Sequence, residues 1–248
     1  MSTDRAGAVQ EAAELQQGGK LPEASAIWMR LLKADPQDVQ AMVMLGVVSA
    51  QMKHYPEAES YYARALRLDP EDPGILLNLA LAHFKGTDLI GAIPILEKVV
   101  KLQPGNRQAQ TLLGISYYGT LNFKKALPLL EQTPGAQTNN ELRQMLAEAY
   151  IWTGQSEKAA AILTDLLRDS PASPVTHMFL GQAYDGQGRT DDAIREFQEA
   201  TRAKDSEPNV LFLALDTSTG KTRITKRPSA NFAASSILNP LTPKPSPI

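Results

Sequence analysis

The chain has 248 residues, 43% of them hydrophobic, a formal net charge of −2 and an isoelectric point near 6.0. That balance lacks the basic field needed to hold a phosphate backbone, so nucleic acid is not expected as a ligand. Cysteine is absent, which excludes structural disulfides, thiolate metal sites, a cysteine nucleophile and a lipidated N-terminal cysteine.

The predicted elements repeat at a fixed period. Small residues recur at Ala12, Gly46, Ala80, Gly114, Ala147 and Gly181, and again at Ala24, Ala58, Ala92, Ala126, Ala159 and Ala193. Both ladders step by 34, 34, 34, 33 and 34 residues, and Pro36, Pro70, Pro104 and Pro171 keep the same beat. Where two helices of a hairpin cross closely, only Gly or Ala leaves room for the partner, and larger residues one turn away fill the hollow beside them.

Residues 5–38 form the first unit, with a helix near Ala6 to Gln17, a break at Gly18-Gly19 and a second helix from Pro22 to Ala34. Residues 39–72 are the clearest copy, and 73–106 repeat it. The unit at 107–139 starts well, but its second helix runs into Gln132-Thr133-Pro134-Gly135 and is expected to be short. Units 140–173 and 174–207 return to phase, with Ser156 and Thr190 expected as caps of their second helices. Residues 208–217 echo the start of a unit and are expected to form a truncated capping helix. Residues 218–248, rich in Ser, Thr, Pro and Asn, are expected to be disordered.

The six copies resemble the tetratricopeptide repeat (TPR), a helix-turn-helix of about 34 residues. The resemblance spans residues 5–207 and implies an all-α, right-handed superhelical solenoid of helix pairs. It also implies that the first helix of each pair lines a concave groove. The family's groove positions fall here on Val43, Val47, Leu77, Leu81, Phe84, Thr111, Ile115, Tyr118, Ile151 and Trp152, an apolar and aromatic strip followed by the carboxylates Glu141, Glu148 and Asp185. The charged residues with which chaperone-binding members clamp a peptide carboxylate are missing: Val43 and Val47, then Leu77 and Leu81, stand in those frames.

Signals for chemistry are weak. The run Asp216 to Thr222 resembles the end of a phosphate-binding loop, but its first glycine is replaced by Leu215 and Pro228 interrupts the helix that would follow. His54, His83 and His177 have no second ligand at metal spacing, and His83 occupies the slot of Tyr117, Tyr150 and Tyr184, which marks it as a packing residue. Glu57, Glu59, Asp191 and Glu196 follow the spacing of a solvated face, with Asp191 and Arg195 expected as a surface pair. No catalytic residue, cofactor or metal is expected.

The function expected is therefore a non-catalytic scaffold that grips an apolar peptide or helix in its groove. The alternatives are a self-assembling homo-oligomer or an accessory subunit of a larger enzyme or secretion complex. The charged N-terminus MSTDRAGAVQEAAELQQ and the absence of any apolar run near ~18 residues lead to an expectation of a cytoplasmic protein without membrane insertion.

Overall fold

In the computed structural model, residues 2–202 are described, and they form α-helices joined by short turns. The helices are α1 (Ser2–Gln17), α2 (Leu21–Ala34), α3 (Val39–Gln51), α4 (Tyr55–Leu66), α5 (Pro73–Lys85) and α6 (Leu89–Leu102). They continue with α7 (Arg107–Gly119), α8 (Phe123–Glu131), α9 (Asn140–Trp152), α10 (Ser156–Asp169), α11 (Pro174–Gly186) and α12 (Thr190–Arg202). The expected truncated helix at 208–217 and the expected disorder of 218–248 lie outside the described residues.

The chain divides into two compact units, Met1–Ser116 and the residues from Tyr117 on, with the division falling inside α7. In the first, each of α1 to α5 packs on the next, and α3 also touches α5. In the second, each of α8 to α11 packs on the next, and α9 also touches α11. Within each unit one pair of odd-numbered helices therefore meets across the even-numbered helix between them, α3 with α5 and α9 with α11, and the fold is an all-α helical-repeat solenoid.

Each odd-numbered helix from α3 on starts from a side-chain cap at one repeat position. Asp38 accepts from the Ala41 amide at 2.9 Å, Asp72 from Ile75 at 2.8 Å and Asn106 from Ala109 at 3.0 Å. Asn139 accepts from Leu142 at 2.9 Å and Ser173 from Thr176 at 3.3 Å. These oxygens satisfy amides that the first helical turn leaves without partners.

The even-numbered helices start differently. The amides of Lys20, His54, Asp88, Asn122, Gln155 and Arg189 each bond back to the carbonyl five residues earlier, closing the preceding helix. The residue just before each has positive φ: Gly19, Lys53, Thr87, Leu121, Gly154 and Gly188, between 63° and 79°. Ser156 is consequently the first residue of α10 rather than its cap; Gln155 holds the cap position without a side-chain bond. The closing turn is made by backbone, which leaves a hydroxyl little to do there.

The small-residue ladders lie in the packed interior. Ala12, Ala24, Ala58, Ala80, Ala92, Ala126, Ala147 and Ala159 have no accessible surface. A Cβ at Gly46 would come within 2.5 Å of the Tyr62 ring, and one at Gly181 within 2.6 Å of the Phe197 ring. As expected, α8 is short, ending at Glu131. In the connection that follows, Thr133 and Ala136 are buried, and Gly135 turns the chain with φ 82°.

Candidate functional site

The odd-numbered helices place the candidate strip. Val43 and Val47 are one turn apart on α3, and Leu77, Leu81 and Phe84 follow the same face of α5. The two helices that carry these groups, α3 and α5, touch. Thr111 and Ile115 hold the corresponding positions on α7 within the first compact unit, whereas Tyr118, Ile151 and Trp152 belong to the second.

None of the ten residues is fully exposed. Val43, Phe84, Thr111, Ile115 and Tyr118 are buried, at 9%, 3%, 1%, 2% and 5% of their accessible surface. Val47, Leu77, Leu81, Ile151 and Trp152 are half-buried. Close packing takes up half of the expected strip as interior, and in the first unit Val47, Leu77 and Leu81 keep accessible surface.

The second unit carries a different inner surface. The Tyr118 hydroxyl donates to the buried carboxylate of Glu148, and burial first, then the Glu148 charge and hydrogen bond, push its pKa far above the ordinary tyrosine value. Phe123 meets Tyr118 edge-on at 5.7 Å and stacks on Trp152 at 5.9 Å. On α11, burial raises the carboxyl pKa of Asp185. One turn before it, Gln182 is 3% exposed, and neither its amide nitrogen nor its oxygen has a hydrogen-bond partner.

A further ladder decorates the turns. Lys125 lies over the Tyr117 ring at 5.0 Å, Lys158 over Tyr150 at 5.1 Å, and Arg189 over Tyr184 at 4.2 Å. The Tyr150 hydroxyl also donates to Glu131 at 2.5 Å and is pushed up to about 12, chiefly by burial. In the third repeat the aromatic is His83, whose Nδ1 meets Asp88 at 2.9 Å and Glu59 at 3.6 Å. His177 is held by Glu196 at 2.7 Å and the Pro171 carbonyl at 2.9 Å. Among the described residues no group of three or more His, Asp or Glu could hold a metal ion. Arg195 pairs with Asp192, one helical turn away, instead of the expected Asp191.

Two features of these faces are absent from the expectations above. The Asp, Asn and Ser caps were legible, since each stands three residues before the amide it accepts from. The unpartnered Gln182 was not, because a glutamine in a groove position gives no hint of whether its amide finds a partner.

Repeated helix pairs packed in chain order within each unit define an α-helical repeat scaffold, the class of generally non-catalytic modules that bind protein or peptide partners. The chain belongs to the tetratricopeptide repeat family: family profiles match residues 9–73, and 49–114, 122–174 and 153–214. No curated protein is matched by sequence. Among solved structures the chain is similar to YrrB, described as a TPR protein with an unusual peptide-binding site. The TM-score is 0.62 at 16% identity, over 77% of this chain and 97% of that one. It is similar to a tetratricopeptide repeat protein from Parabacteroides merdae, with a TM-score of 0.52 at 15% identity, over 86% of this chain and 84% of that one. MamA of AMB-1 gives a TM-score of 0.59 at 23% identity, over 72% of this chain and 98% of that one. At these identities the likeness is one of fold. No described helix is long and apolar enough to cross a membrane.

Proposed function

We propose that this protein is an interaction scaffold whose first unit holds an apolar peptide or helix against Val47, Leu77 and Leu81. The observation that carries the reading is the placement of three half-buried aliphatic side chains on two inner helices that touch, α3 and α5. Their remaining surface is accessible to a guest, while the buried Val43 and Phe84 beside them keep the floor rigid. Covering such a floor stabilises a complex by about 25 cal/mol per Å² of apolar surface removed, less the cost of ordering the guest. Micromolar affinity is the expected scale, about −8 kcal/mol.

The test is a Leu77→Glu, Leu81→Glu double variant compared with the parent chain for retention of a co-purifying partner, after both give the same helical circular dichroism. Loss of the partner with the fold intact is the expected result. A partner retained equally by both chains overturns the reading. Tyr118 is unsuited to this test, because it is buried and bonded to Glu148, so a charge there would disturb the fold itself.

A further inference from the structure

The formal charge of −2 conceals a division. Residues 203–248 hold six cations, Lys204, Lys221, Arg223, Lys226, Arg227 and Lys244, against Asp205, Glu207 and Asp216, a net of +3; residues 1–202 therefore carry −5. Four of the cations lie within seven residues, Lys221-Thr-Arg-Ile-Thr-Lys-Arg227, and no Asp or Glu stands among residues 217–248.

The second unit has a surface of matching chemistry. Val47, Leu81, Ile115, Glu148 and Gln182 occupy one repeat position, which thus changes from aliphatic to carboxylate to amide along the array. Gln182 stands in register with Glu148 on the neighbouring inner helix, as Asp185 does with Ile151 and Gly186 with Trp152, and α9 touches α11. Gln182 and Asp185, three residues apart, share a face of α11. The Gln182 side chain is buried with both amide atoms unpartnered, an arrangement that is unfavourable unless a ligand supplies a donor and an acceptor. Asp185 is half-buried, and burial favours its neutral form until a cation arrives. Carboxylate, amide and a half-buried indole are the groups that receive a lysine or arginine together with its backbone.

We infer that the inner face of α9 and α11 is occupied by the basic segment Lys221–Arg227 of the same chain, with its cations toward Asp185 and Glu148 and its polar groups on the Gln182 amide. Eighteen residues separate Arg202 from Lys221; extended they span up to ~60 Å, against about 20 Å for the length of α11, so the segment reaches its own array. The site is separate from the aliphatic floor of α3 and α5 and stands whether or not that floor binds a guest.

Trypsin cuts after Lys221, Arg223 and Lys226, and its rate on the full chain at low ionic strength tests the inference. Cleavage at least tenfold slower than in a synthetic peptide of residues 217–232 is expected, rising to the peptide's rate in 0.5 M sodium chloride and in Asp185→Lys. Asp185→Asn serves where the lysine variant loses helical circular dichroism, since a neutral isostere removes the attraction without adding a buried charge. A full chain carrying Lys221→Ala, Arg223→Ala, Lys226→Ala and Arg227→Ala alters none of the described residues, and it should bind the labelled peptide at least tenfold more tightly than the parent, whose own segment competes. Equal cleavage of chain and peptide, or protection indifferent to Asp185, overturns the inference. Protection that grows with protein concentration also overturns it, assigning the site to a second copy. Leu77→Glu with Leu81→Glu should leave the cleavage rate unchanged.

Discussion

Two of the ladder glycines each face an aromatic ring. Gly46 faces Tyr62 and Gly181 faces Phe197, and a methyl group at either glycine would enter the ring's van der Waals envelope. In the third and fifth repeats the corresponding pairs are Ala80 with Leu96 and Ala147 with Leu163, all without accessible surface. Gly181→Ala should therefore destabilise the second unit by about 1–3 kcal/mol through overpacking. Adding Phe197→Leu, which recreates the alanine and leucine pair, should recover part of that loss, and a double-mutant cycle in urea would measure the coupling. Strain of another kind sits at Thr87, a β-branched residue at φ 67° where three other repeats use glycine. Thr87→Gly should raise stability by about 0.5–1 kcal/mol, the relief of the left-handed conformation outweighing the added chain entropy of glycine; a rise in the urea midpoint would report it.

At the scale of the helix, the two kinds of start divide the work. Odd-numbered helices are fixed by caps from Asp, Asn or Ser, and even-numbered ones by the closing turn of the helix before. Asp88 joins the two, since its amide closes α5 while its carboxylate caps α6 by accepting from Gly91 at 2.9 Å. That hydrogen bond, aided by His83, holds the Asp88 carboxyl below its ordinary value of 3.8. A depressed carboxyl contributes stability above its unfolded pKa and loses it as pH falls through the folded one. The stability difference between the parent and Asp88→Asn should accordingly shrink as pH drops below about 4, as read from thermal midpoints across an acid series. The helix pattern itself was legible, because the ladders mark every close crossing. The cap ladder was legible too. The non-glycine turns were not, since Lys53, Thr87 and Leu121 carry no sign of positive φ and are forced into it by the hairpin around them.

At the scale of the whole molecule, neighbour-to-neighbour packing makes stability regional. Trp28 lies buried in the first compact unit and Trp152 half-buried in the second, so each indole reports on its own unit. In a Gly46→Ala chain the urea transition seen by Trp28, with Trp152→Phe, should move to lower denaturant further than the transition seen by Trp152, with Trp28→Phe. Equal shifts by both probes would mean that the chain unfolds as one cooperative body.

The repeat, the helix pairs, the buried alanines and the short α8 were determined by the sequence alone, for they depend on residue size at a fixed spacing, and spacing is written in the chain. Which groove positions remain accessible was decided by tertiary structure. Val47, Leu77 and Leu81 keep accessible surface while Phe84, Ile115 and Tyr118 are buried. Nothing in the residue types separates the two sets, since accessibility depends on how closely neighbouring helices approach. The same holds for Gln182: its amide is like any other in the sequence, and only the packing around it leaves it buried without a hydrogen-bond partner.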